Sequence, residues 1–134
     1  MGAGGRRERG FTLVEMMVVI SIILILLGLA MPIYRRSLAR AKEESLRKNL
    51  ETLNKVIYQY TLDKQKEPKS LDDLRQAKYL DAIPKDITGS VDTWQVEEGD
   101  GAILSLDQKD TDGIIGVHSG SSQTASDGTQ YSTW

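Results

Sequence analysis

The chain has no cysteine and a single histidine, His118. The first absence excludes disulfide staples and thiolate chemistry. The second excludes a two-histidine zinc site within one chain. No glycine-rich phosphate loop lies between a strand pattern and a helix pattern, so the usual nucleotide signature is missing. The formal charge is −2, and an acidic chain is a poor nucleic-acid binder. Ser119 and Ser121 flank His118 closely in sequence. Such neighbours rarely form a nucleophile–base pair, and the sequence indicates no buried carboxylate to complete one. Nothing supports catalysis, and a non-enzyme is expected.

What the chain does have is one long apolar run. Three arginines and one glutamate lie in residues 1–10, and residues 11–31 then read FTLVEMMVVISIILILLGLAM. Those residues make a helix of about 30 Å at roughly 1.5 Å per residue, which matches the hydrocarbon thickness of a bilayer. The run predicts a membrane-spanning segment. Gly28 and Pro32 mark an expected kink at its end, since proline removes one helical hydrogen bond and crowds the preceding turn.

Glu15 interrupts the run about one turn from its start. A charge at the centre of a membrane helix costs about 2.5–3.5 kcal/mol, less near the interface. One solution is snorkelling to the headgroups. Another is a cation inside the membrane. Cutting the chain between Gly10 and Phe11 creates one, the new α-amino group of Phe11. Geometry favours pairing with the amine of a second copy, because a helix's own carboxylate already lies a turn along. Two other leader readings exist. Gly28-Leu29-Ala30 has the small residues of an ordinary signal-peptidase site, and Arg6-Arg7 has the look of a twin-arginine signal. Glu15 argues against both. Removing residues 1–10 moves the formal charge from −2 to −4.

Beyond Pro32 the pattern stays helical. Leu46, Leu50, Leu53, Ile57 and Tyr60, with Val56 alongside, form an apolar stripe. Arg40, Lys42, Glu43, Arg47, Lys48, Glu51 and Lys55 are assigned to the opposite, solvated face. The spacing predicts one helix over residues 12–63, with 11–31 in the membrane or filament core and 32–63 as the spine of a head. Residues 64–134 complete that head. Ser70 caps a short helix to about Lys78, with Asp73 as its capping-box partner. Tyr79, Leu80, Ile83 and Pro84 are expected to pack down. Strands are expected at 91–96 and 102–106, joined as a hairpin, with a third at 114–118. Residues from Ser119 on are too rich in Ser, Gly and Thr to assign structure, with Tyr131 and Trp134 as anchors. The expected class is α+β, a long amino-terminal helix on a small antiparallel sheet. Asp107, Asp110 and Asp112 before Gly113 are candidate calcium ligands, because hard oxygen clusters suit that ion. Their spacing is not that of an EF-hand.

The segment GFTLVE, after a basic lead and before a long apolar run, resembles the processing motif of type IV pilins and type II secretion pseudopilins. The resemblance covers about the first quarter of the chain. It implies that a prepilin peptidase cuts after Gly10 and methylates Phe11, and that Glu15 serves assembly. The head segment SLDDLRQAKYLDAIPKDITGSVDTW resembles the major, or G-type, pseudopilin. It departs where that family usually reads Asp-Pro-Trp-Gly and this chain has Asp86-Ile87-Thr88-Gly89. Many pilins carry a carboxy-terminal cysteine pair, and its absence leans toward a pseudopilin. The resemblance also implies a structural calcium near the carboxy end, where this chain offers only Asp127. The implied protein is a subunit of a type II secretion pseudopilus. It is inserted once in the bacterial inner membrane, amino end cytoplasmic and head periplasmic. Its implied partners are further copies of itself, minor pseudopilins, the prepilin peptidase, an inner-membrane platform, a cytoplasmic ATPase, and lipid before assembly. The alternatives are a type IV pilus subunit, a membrane-tethered binding module, and a soluble protein released at Ala30.

Overall fold

The computed structural model describes residues 10–99, 106–108 and 112–134. In chain order the elements are α1 (Leu13–Lys64), α2 (Leu71–Gln76), β1 (Gln95–Glu98), β2 (Ile114–His118) and a 3-10 turn at Tyr131–Thr133. The class is α+β, as the sequence predicts. The chain divides into two units, Met1–Leu38 and Ala39–Trp134.

α1 continues through Pro32, so the proline does not end it. The missing N–H of Pro32 leaves the Gly28 carbonyl without its usual partner four residues on, which is the local defect behind the expected kink. In the second unit, one face of α1 is buried: Leu46, Leu50, Leu53, Val56, Ile57 and Tyr60. They meet Leu74 of α2, Trp94, Ile114 and Val117 of β2, Ala125 and Tyr131. Each fully buried Leu or Ile contributes roughly 1.5–3 kcal/mol. The periodic stripe of the sequence is therefore the wall against which the head condenses.

α2 begins with the expected capping box. Asp73 N–H donates to Ser70 Oγ at 3.3 Å, and Ser70 N–H donates to Asp73 Oδ2 at 3.1 Å. It ends at Gln76, short of the expected Lys78. The stop is a Schellman turn: Lys78 N–H donates to Arg75 O at 3.0 Å and Tyr79 N–H to Leu74 O at 2.9 Å. Lys78 takes φ 62° there, and Gln65, just past α1, takes φ 56°. Glycine accepts this left-handed conformation freely and a side chain does not. Tyr79, Leu80 and Ile83 pack on the core as expected.

The sheet is two-stranded, β1 antiparallel to β2, with Val96 opposite Val117 and an irregularity at Glu97/Glu98. This corrects two expectations. The first strand is at 95–98 rather than 91–96, because Trp94 turns inward and its Nε1–H donates to Pro84 O at 2.8 Å. Glu97 and Glu98 carry the strand past its expected end, and its partner is β2. Of the expected hairpin strand at 102–106, residues 102–105 lie outside the described residues, and Leu106 is a fully exposed turn residue. The expected third strand is β2, ending on His118.

Three buried carboxylates tie the loops down, and the sequence pattern hid all three. Glu43 of α1, assigned to the solvated face, is buried at 9% exposure. It accepts from Ser126 N–H at 2.7 Å, from Ser126 Oγ, and from Tyr131 OH at 3.1 Å. Glu67 accepts from Gly113 N–H and Gln108 Nε2, both at 3.0 Å. Asp86 accepts from Ile87 N–H and Ser119 Oγ at 2.7 Å, Thr93 Oγ1 at 3.0 Å and Gly120 N–H at 3.2 Å. A buried carboxylate is tolerated when several donors reach it. The residues after Ser119 are accordingly packed rather than loose. Ser119 and Ser121 are buried, Thr124 bridges Gln130, and the Arg47 guanidinium lies 3.8 Å over the Trp134 ring. Tyr131 and Trp134 are the expected anchors, meeting edge-to-face at 5.1 Å.

The Ser126 hydroxyl, then its N–H and the Tyr131 hydroxyl, hold the Glu43 carboxyl below its ordinary value despite burial. A depressed folded value gives stability present above the unfolded value and lost as pH falls through the folded one. The melting temperature of the detergent-solubilised chain is therefore predicted to fall as pH drops below about 4.5. Glu43→Gln should melt lower at neutral pH and lose less on acidification. Lys78→Gly and Gln65→Gly should each raise stability by roughly 0.5–1 kcal/mol in thermal melts, by relieving the left-handed side chain. Gly120→Ala should cost on the order of 1–3 kcal/mol, because a Cβ there meets the Thr93 carbonyl oxygen.

Candidate processing and assembly site

The start of α1 is set by one side chain. Met16 N–H donates to Thr12 O at 3.2 Å, the first helical bond. Glu15 N–H donates to Thr12 Oγ1 at 3.2 Å. Thr12 is thus the N-cap, and Thr12-Leu13-Val14-Glu15 has the capping-box spacing. The sequence carries this signal in the four letters TLVE, where the apolar run masks the role of Thr12 as a cap. Gly10 and Phe11 lie before the helix, non-helical and exposed. Glu15 is in the first turn, where the helix dipole favours a negative charge. Among the described residues its carboxylate has no hydrogen bond or ion pair.

From Phe11 to Leu38 every side chain is exposed. Phe11 is 77% exposed, Leu24 63% and Leu29 66%. Ser21, the polar residue inside the run, donates its hydroxyl to Met17 O at 2.7 Å, so it carries no unmet demand. This is the one described helix long and apolar enough to cross a membrane. A continuous apolar surface of this length has to be covered by lipid or protein.

The other candidates behave differently. Among the described residues, no three His, Cys, Asp or Glu side chains are placed to hold a metal. Asp107 and Asp112 are described, Asp110 lies outside the described residues, and the buried Glu67 is what grips this loop through Gly113 and Gln108. His118 ends β2 with Nδ1 2.8 Å from Trp134 O and Nε2 3.3 Å from Glu97 Oε2. Ser119 has the buried carboxylate partner that the sequence analysis did not expect, Asp86. Both His118 nitrogens are engaged elsewhere, so no nucleophile–base pair forms.

Comparison with known proteins agrees with this geometry. Residues 5–31 match the family described as the prokaryotic N-terminal methylation motif. The chain is 34% identical over 74 residues to the competence protein ComGC of Halalkalibacterium halodurans, an alignment covering 55% of this chain and 72% of that one. No solved structure matches. The matched motif falls on the capped, apolar start of α1, and the chain belongs to the type IV pilin and pseudopilin family, whose members are cut by a prepilin peptidase and assemble into filaments with other pilins.

Proposed function

We propose that this chain is the shaft subunit of a pseudopilus. It inserts once in the inner membrane with residues 1–10 cytoplasmic and the head exported. The peptidase hydrolyses the Gly10–Phe11 bond and methylates the new amino end. Glu15 of one subunit then pairs with the Phe11 amine of a neighbour, and the apolar segments of many copies cover one another. Heterologous contacts that do not close produce an open helical fibre. The observation that carries this reading is the Glu15 carboxylate, exposed and, among the described residues, without a hydrogen bond or ion pair at the start of an uncovered apolar helix.

Members of this family are structural subunits, so the energy for assembly comes from elsewhere. A cytoplasmic ATPase, working through an inner-membrane platform, is the proposed source, with minor pseudopilins as further partners. The wording of the head after Ser70 favours a type II secretion machine. Similarity to a competence protein favours a second reading, a pseudopilus serving DNA uptake. Deleting the chain separates them: the first reading predicts loss of protein export, the second loss of natural transformation.

Glu15→Ala should leave the precursor inserted and cut but abolish filaments in sheared-fibre assays. A membrane-tethered binding module would retain its function in that variant. Mass spectrometry of the mature chain should show it beginning at a methylated Phe11. A chain beginning at Met31 would mean release at Ala30 instead.

A further inference from the structure

We propose that Thr12 is the positioning residue of the processing site, keeping Phe11, the residue after the scissile bond, out of the helix. This rests on the reading that Gly10–Phe11 is the bond cut. In an uncapped helix, Glu15 N–H would bond the carbonyl four residues back, that of Phe11. Here the Thr12 hydroxyl takes that N–H at 3.2 Å, and the first carbonyl drawn into the helix is Thr12's own. Phe11 and Gly10 are therefore left non-helical and exposed, immediately before a membrane-spanning run.

That placement matters to a peptidase. Extended substrate backbone offers its N–H and C=O groups to an enzyme cleft, whereas helical backbone has them engaged. Hydrolysis adds water across the amide, leaving a carboxylate on Gly10 and an ammonium on Phe11. The carbonyl attacked is that of Gly10, and a Phe11 carbonyl held by Glu15 N–H would be lost to the cleft as an acceptor beside it. Gly10 adds to the effect, since glycine is a poor helix residue. Among the described residues, a Cβ there would meet nothing within 4 Å. The same cap leaves the new amine one residue beyond the helix start, free to reach another copy.

The test uses the full precursor in membranes with its prepilin peptidase, comparing Thr12→Val, Thr12→Ser and the unaltered chain. Valine keeps the shape and removes the hydroxyl. Thr12→Val should be cut roughly three- to tenfold more slowly, and Thr12→Ser at close to the unaltered rate. A second readout is the carbonyl chemical shift of Phe11 in the uncut, detergent-solubilised chain, which should move toward helical values in Thr12→Val only. Equal cutting rates for all three chains, or an unmoved Phe11 shift in Thr12→Val, would overturn the inference. An unaltered precursor that is never cut at Gly10–Phe11 would overturn the processing reading itself.

Discussion

A carboxylate set one turn into an apolar helix is the constraint around which this protein is built. Left alone in hydrocarbon, Glu15 opposes insertion by a few kcal/mol. At the capped start of α1 it sits beside the positive end of the helix dipole, which offsets part of that cost. The remainder is best met by a cation delivered at the same depth. The proposed cut provides one on every copy, displaced from the acid along the axis. A mismatch within one chain thereby becomes a reason for chains to associate with an offset.

The head solves a related problem by different means. Its core is small, and the loops around it are rich in small polar residues. Glu43, Glu67 and Asp86 are buried and ionisable, and each is surrounded by hydroxyl, amide or backbone N–H donors. Each draws in a separate stretch: the carboxy-terminal residues, the loop before β2, and the turn after it. Neutral donors suffice here because several converge on each acid. At Glu15, among the described residues, no such donors converge on the carboxylate, and that contrast separates an acid serving the fold from one available to another molecule.

Much of this was legible in the sequence. The apolar run, the stripe from Leu46 to Tyr60, the Ser70–Asp73 capping box and the GFTLVE motif are local or periodic signals; the structure carries the first three as expected, and the family match falls on the fourth. The failures have physical reasons. Lys78 ends α2 in a conformation usually signalled by glycine, so the sequence pattern extends that helix two residues too far. Trp94 broke the alternation expected at 91–96 because it points inward to Pro84. The Ser-rich end looked loose because composition does not show that Ser126 and Tyr131 meet an acid more than eighty residues away. Long-range pairings of single polar residues leave no periodic trace.

The proposed pairing of Glu15 with the Phe11 amine joins two copies, and it is open to direct observation. Filaments can be assembled from equal parts of two subunit preparations, one isotope-labelled at the Phe11 amine nitrogen and the other at the Glu15 carboxyl carbon. Solid-state magnetic resonance then reports only contacts between different subunits. The account predicts a strong cross-signal between that nitrogen and that carbon. Intact filaments with no such signal would contradict it.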